Sequence, residues 1–178
     1  MTPVTVASTG LSALTAAAEA AGLTVTSSAC WPESTDDGAV TPLPGYIESD
    51  FSPLVAEVSA RVLPSCGGTV TAIVIVTALG DVASATRVAA AVDAGRRVAP
   101  LHFFQSVPNS VAGYLAAQWH LTGPVVCVSG TTAGVDVAAL LIGDGDADEA
   151  LVVRVDLQVT AGDRNSAAAV LVTGKPDT

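Results

Sequence analysis

Basic residues are scarce in this sequence. The 178 residues include seven Lys and Arg against 17 Asp and Glu, which gives a formal net charge of −10. Nucleic-acid binding needs a basic face, so we expect no nucleic-acid partner. An acidic protein partner would also be repelled unless it met a local basic patch, for which Arg87, Arg96 and Arg97 are the candidates.

Cysteines are few, and long apolar runs are absent. Cys30, Cys66 and Cys127 lie far apart and form no CxxC or Cys/His spacing, so we expect no disulfide framework, no metal and a reduced, cytoplasmic setting. Apolar runs break before the roughly 20 residues that span a bilayer, and no signal peptide is visible, so we expect no membrane association. Residues 130–134 lack both the P-loop Lys and a GxGxxG pattern, so we expect no nucleotide or other cofactor.

Ala and Val must build the core, because hydrophobic residues make up 50% of the chain and aromatics only 4%. The length fits one domain over residues 1–178. Three prolines and an acidic run predict an exposed loop over residues 27–46. Asp50 or Ser52 could cap the helix that follows, in which Pro53 fits the first turn.

Hydrophobic periodicity predicts five strands that alternate with helices. The predicted strands are 4–10, 69–78, 123–129, 149–159 and 166–174, and the predicted helices are 11–22, 49–63, 80–95, 110–121 and a short one after residue 130. The second and third strands read as buried, and the last two as an antiparallel pair because a short loop joins them. This order predicts an α/β fold with a mixed five-stranded sheet and helices on both faces.

Residues 100–130, PLHFFQSVPNSVAGYLAAQWHLTGPVVCVSG, resemble the β-ketoacyl synthase family of the thiolase fold. The resemblance lies in an aromatic loop, in Pro108-Asn109, in Gly113, and in Gly123-Pro124 before a strand. Residues 133–153 look like the helix that follows the family's nucleophile. VSGTTAGVD is most similar to type II polyketide ketosynthases and their chain-length-factor partners. Because the family's chain has two thiolase-like halves, the resemblance implies a truncated ketosynthase that covers the N-terminal half.

The resemblance places a threonine, Thr131 or Thr132, where the family has its catalytic cysteine. A threonine hydroxyl is barely ionised near neutrality and needs a base beside it. The family's bases, two His and a Lys, come from the second half. The resemblance therefore implies that decarboxylative Claisen condensation does not occur here. We interpret Cys127, inside the predicted strand, as a small core residue.

His102 and His120 are the candidate catalytic residues, because their unperturbed pKa suits acid–base work near neutrality. Each also has a simpler interpretation: His120 ends a helix and can act as a dipole partner there. The resemblance places His102 beside the family's dimer interface and acyl tunnel. The candidate substrate contacts are Phe103, Phe104, Asn109 and Gly134, with Gln105 and Asp136 as polar helpers; Asn109 also fits a helix cap, and Asp136 a helix-start residue.

Three functional hypotheses follow. The first is a subunit of polyketide or fatty-acid type biosynthesis that binds a carrier-linked acyl or polyene chain, or pairs with a full-length ketosynthase or chain length factor, or does both; a homodimer is the alternative assembly. The second is a repurposed enzyme that forms carbon–carbon bonds in a polyene without decarboxylation, with a histidine as the acid–base group. The third is a remnant with no separate activity.

Overall fold

A computed structural model describes residues 3–46, 49–63, 68–157 and 164–175, with side chains from residue 7 onward. The helices are α1 (Pro3–Ala20), α2 (Phe51–Val62), α3 (Val82–Asp93), α4 (Pro100–Gln105), α5 (Ser110–Trp119) and α6 (Thr131–Gly143). The strands are β1 (Leu23–Trp31), β2 (Thr71–Val76), β3 (Val125–Val128), β4 (Glu149–Asp156) and β5 (Ser166–Gly174).

The five strands form one mixed sheet in the order β1-β5-β4-β2-β3. β2 pairs parallel with both β3 and β4, whereas β5 pairs antiparallel with β4 and β1. The antiparallel pairing predicted for the last two strands is confirmed. The parallel strands β2, β3 and β4 end at one edge of the sheet, called here the carboxyl edge, where the loops that could carry function emerge.

Helices cover both faces of the sheet, as predicted. On one face, α2 and α5 pack over a cluster that includes Phe51, Val58 and Leu115. On the other face, α1 and α6 pack over a cluster that includes Leu14 and Val135. β2 is buried along its whole length, as its continuous β-branched run predicted.

The prediction of a strand over residues 4–10 is wrong, because α1 covers these residues. β-branched residues favoured a strand locally, but Ala7, Leu14 and Ala18 recur at helical spacing and are all buried against the sheet. The strand that replaces it is β1, whose alternation of buried and exposed residues was obscured by its polar composition. The count of five strands was right, and the position of the first was not.

The predicted exposed loop over residues 27–46 is only partly correct. Its first residues belong to β1, and Leu43 and Tyr46 are buried rather than exposed. The Tyr46 hydroxyl donates a hydrogen bond to the Ser110 carbonyl at 2.7 Å, which fastens this segment to α5. Its acidic tip, residues 33–36, is exposed as predicted.

The predicted cap of α2 is also wrong. Neither Asp50 nor Ser52 caps the helix with its side chain; instead, the Ser49 hydroxyl accepts a hydrogen bond from the Ser52 backbone N–H at 2.9 Å. Pro53 lies in the first turn, as predicted.

β3 and the segment before it are less buried than the sequence indicated. β3 is an edge strand whose residues are exposed or half-buried, so the prediction of a buried strand is wrong. The aromatic loop predicted before Pro108 is instead the short helix α4, entered through Pro100. α3 packs chiefly on α4, and the two form the α3–α4 arm, residues 82–105, which is largely solvent-exposed.

Candidate functional site

The candidate site lies at the carboxyl edge, where a tight elbow joins β3 to α6. Gly130, at the helix N-cap, has φ +95°, a conformation that side-chain-bearing residues rarely adopt, and Thr131 begins the helix. Four residues into the turn, Gly134 passes so close to β2 that an added Cβ would overlap the Val76 side chain. The elbow is therefore held tightly against the sheet, with Thr131 and Thr132 at the positive end of the helix.

Thr131 is bound by a cation. The Arg154 guanidinium, from β4, donates a hydrogen bond from Nη1 to Thr131 Oγ1 at 3.2 Å, and its Nε pairs with Asp156 Oδ2 at 2.8 Å. Arginine stays protonated in proteins and cannot remove a proton from the threonine hydroxyl. The contact orders the hydroxyl and favours negative charge near it, but it does not make the hydroxyl a nucleophile.

A cavity of about 280 Å³ opens beside this contact. Its walls come from the ends of β2 and β4 and include Thr77, Leu79, Arg154, Asp156 and Leu157. The lining combines apolar groups with one cation and one anion, Arg154 and Asp156, which are paired with each other.

A buried carboxylate organises the neighbouring part of the same edge. Asp81, 2% exposed, accepts hydrogen bonds from Ser49 Oγ at 2.5 Å and Ser84 Oγ at 2.8 Å, and from the Ser84 backbone N–H at 3.1 Å. Ser49 also accepts the hydrogen bond from Ser52 at the start of α2. The Asp81 carboxylate therefore connects the start of α2 with the start of α3. Asp81 is also the N-cap of α3, whose start lies within the predicted helix over residues 80–95.

The described cysteines do not favour thiolate chemistry. Burial raises the pKa of the Cys127 thiol, which lies half-buried in β3 and packs against the core. Burial also raises the pKa of Cys30, with the negative charge of Glu33 as a further cause. A raised thiol pKa leaves less thiolate at neutral pH. Cys66 lies outside the described residues.

The two histidines are not brought together. His102 is exposed in α4 and lines a cavity of about 370 Å³ beside α3. His120 is exposed at the end of α5, with φ +57°. The segment after His120 is tied to the start of β2, where the Gly123 N–H donates to the Thr71 carbonyl, so His120 lies at the opposite edge of the sheet from the elbow. Catalysis by either histidine stays a prediction.

The other candidates from the sequence lie in or next to three helices, α4, α5 and α6. Phe103 and Phe104 project from the α3–α4 arm and are more than half exposed, Gln105 is buried, and Gly134 is buried against β2. Asn109 occupies the N-cap position of α5, but its side chain makes no capping hydrogen bond. Asp136 is exposed in the second turn of α6 and does not start the helix. Substrate binding by these residues stays a prediction.

Sequence reasoning missed Arg154. Its signal in the sequence was a single charged residue inside the apolar run ALVVRV, and the predicted strand over residues 149–159 included this residue without a separate role for it. A charge within a core strand is costly unless it is paired, so it marks a place where the strand leaves the core. In the described part of the chain, no three His, Cys, Asp or Glu side chains are arranged to hold a metal ion. The helices within the same residues are each too short or too polar to cross a bilayer.

A family model described as the N-terminal domain of β-ketoacyl synthase matches residues 13–168. Because this match covers most of the sequence, the chain belongs to the β-ketoacyl synthase family. No curated protein sequence matches the chain.

Solved structures of ketosynthases share the fold. One is a ketosynthase (ApeO) in complex with its chain length factor (ApeC) from Xenorhabdus doucetiae, with a TM-score of 0.68 and 17% identity over 86% of this chain and 79% of that chain. The ishigamide ketosynthase/chain length factor has a TM-score of 0.64 and 18% identity over 79% of this chain and 49% of that chain. Ketosynthase twelve of the bacillaene polyketide synthase from Bacillus amyloliquefaciens has a TM-score of 0.58 and 12% identity over 85% of this chain and 41% of that chain. The expected thiolase-like α/β fold is therefore confirmed.

Proposed function

We propose that this chain is a non-condensing ketosynthase-family subunit that pairs with a ketosynthase and helps to accommodate a carrier-linked acyl or polyene chain. The observation that carries the proposal is the elbow, in which Thr131 stands at the helix start and its hydroxyl is held by Arg154. A subunit without an activated nucleophile cannot form the acyl-enzyme on which decarboxylative condensation depends. It can still shape the space in which a partner's chain grows.

Pairing is supported by the outer edge of β3, with which no strand of the described residues pairs. The carbonyls of Pro124 and Val128 accept hydrogen bonds from backbone N–H groups of β2 and of the residue after it. The backbone N–H and C=O groups of the alternate residues, Val125 and Cys127, therefore point away from β2, in the plane of the sheet. An uncovered edge strand is a template for pairing with another chain, and proteins normally cover or block it. Val125 is 40% exposed, so its apolar side chain adds to this edge.

Exposed aromatics of the α3–α4 arm give separate support. Phe103 is 67% exposed and Phe104 57%, although both are large apolar side chains in a protein with few aromatics. Clusters of this kind mark surfaces that another chain covers. Two of the similar structures are of ketosynthases with chain length factors, and the matched chain in the first is of similar length to this one. A ketosynthase is therefore the favoured partner over a second copy.

The test is co-expression with a ketosynthase, followed by native mass measurement. The proposal expects a one-to-one complex that Val125→Lys and Phe103→Glu each weaken, since each places a charge on a surface proposed to be buried. Thr24→Lys is the control, because Thr24 is exposed on β1, at the opposite edge of the sheet from β3. A chain that stays monomeric with every ketosynthase tried, or forms only homodimers, contradicts the proposed partner.

The repurposed enzyme stays the alternative function. Its specific support is that His102 lines a cavity large enough for a small-molecule group. His102→Ala and His120→Ala are to be assayed singly and together with carrier-bound polyenes. Loss of product in one single variant favours histidine acid–base catalysis, and full activity in the double variant removes it.

A further inference from the structure

A cavity of about 370 Å³ lies in the α3–α4 arm, apart from the elbow. Five residues of α3 line it, among them Ser84, Arg87, Val88 and Ala91. These residues are spaced three and four apart, so they share one face of the helix. A helix of a globular protein usually turns such a face toward the core. Here the face lines a cavity and carries an arginine.

The turn after α3 brings two more arginines to the same cavity. Gly95 has φ +64°, and the Arg96 N–H returns to the Ala91 carbonyl at 2.9 Å. This left-handed ending reverses the chain, so Arg96 and Arg97 lie beside α3 rather than beyond its end. His102, from the first turn of α4, adds to the wall.

The lining is basic in a protein that is otherwise acidic. Three of the seven Lys and Arg residues and one of the two His residues lie here, against a net charge of −10 for the chain. Among the described residues, no Asp or Glu is part of the cavity lining. Three guanidinium groups that line one cavity attract an anion by Coulomb interaction.

The remaining wall is apolar. Val88, Ala90, Ala91 and Val98 line the cavity between the charged groups. A purely ionic ligand would leave these apolar side chains in contact with water, whereas an anion that carries an apolar group would cover them. The volume lies in the range of small-molecule sites, about 300–1,000 Å³.

We propose that the α3–α4 cavity binds a small amphiphilic anion: a carboxylate or phosphate attached to a short alkyl group. The guanidinium groups of Arg87, Arg96 and Arg97 bind the anionic head, for which their planar donors are well matched. Val88 and Val98 contact the alkyl group. The site does not depend on pairing with a ketosynthase or on chemistry at the elbow.

Calorimetric titration of the full chain alone tests the site with four probes. Octanoate and octyl phosphate carry both features and distinguish a carboxylate from a phosphate head; acetate carries only the charge, and octylamine carries the same tail with the opposite charge. We expect one saturable site for octanoate or octyl phosphate, with acetate at least about tenfold weaker because it buries no methylene groups. Octylamine should not bind.

Charge-removing variants connect the binding to this cavity. The double variant Arg96→Gln/Arg97→Gln, and Arg87→Gln by itself, should each weaken octanoate binding, the double variant by at least about tenfold because two charge-assisted contacts are lost. Lys175→Gln is the matched control, since Lys175 is exposed and lies outside the lining. All three arginines are exposed, so we expect each variant to fold, and circular dichroism of each variant is the check. Equal binding of octanoate and octylamine, or octanoate binding unchanged in the double variant, overturns the proposal.

Discussion

The central strands and the α3–α4 arm have similar apolar residues but differ in how much of them is buried. Both are rich in Val, Ala and Leu, yet β2 is buried throughout, whereas the arm exposes Leu101, Phe103 and Phe104. Burial of apolar surface stabilises the sheet, but the arm gains little stability from its own apolar residues. The exposed apolar residues of the arm are what the proposed pairing with another chain expects.

The largest effect expected from this comparison is on stability. Leu151→Ala, in the fully buried centre of β4, should lower the free energy of unfolding by about 2–5 kcal/mol through lost burial and a cavity. The same substitution at Leu101, 56% exposed in the arm, should change it by no more than about 0.5 kcal/mol. Urea denaturation of both variants makes the comparison. A Leu101→Ala loss as large as that of Leu151→Ala would mean that the arm is part of the core.

A second substitution tests the carboxylate that joins the arm to the rest of the fold. Asp81→Ala removes the acceptor for two hydroxyls and one backbone N–H, and should cost about 2 kcal/mol of stability. Asp93→Ala, at the exposed far end of α3, is the control and should be near neutral. Equal losses of stability for the two substitutions in thermal or urea denaturation would show that Asp81 does not stabilise the contact between the starts of α2 and α3.

A smaller effect concerns the electrostatics of the elbow. Thr131→Cys would place a thiol at the helix start beside Arg154, where both the helix dipole and the guanidinium favour the thiolate. In a Cys66→Ser background, its alkylation at pH 7 should be about tenfold faster than that of Cys127, whose pKa is raised by burial.

The pH dependence of this alkylation sharpens the test. We expect the elbow to lower the pKa of the new thiol, so its alkylation rate should rise at a lower pH than the alkylation rates of Cys30 and Cys127. Burial raises the pKa of both of those thiols. Adding Arg154→Met should move the profile of the new thiol toward higher pH. A profile that does not move would show that Arg154 does not act on the elbow.

Much of the fold could be predicted because its core strands are continuous apolar runs. These runs predicted β2, β4 and β5. Helical periodicity or flanking glycines predicted α2, α3, α5 and α6. The first strand was misplaced because local β propensity over residues 4–10 competed with a helical spacing that becomes decisive only against the sheet. β1, polar and half-exposed, gave no comparable signal.

The candidate site was only partly accessible from the sequence. The elbow was found, because a strand, a glycine turn and a helix follow one another directly at Gly130 and Thr131. Arg154 was missed because its partner is 23 residues away, and the two residues come together only because β3 and β4 both pair parallel with β2. The sequence named Arg87, Arg96 and Arg97 as candidates for a basic patch, but it did not show the cavity that they line, which forms where the turn at Gly95 reverses the chain.

The central claim is that this ketosynthase-family elbow does not carry an acyl group. Its most direct test is the intact mass of the chain after incubation with an acyl-loaded carrier protein, alone and together with a ketosynthase partner. We predict that the mass of this chain is unchanged in both cases, while the ketosynthase gains the acyl group. An acyl adduct on this chain that maps to Thr131 or Thr132 would contradict the account.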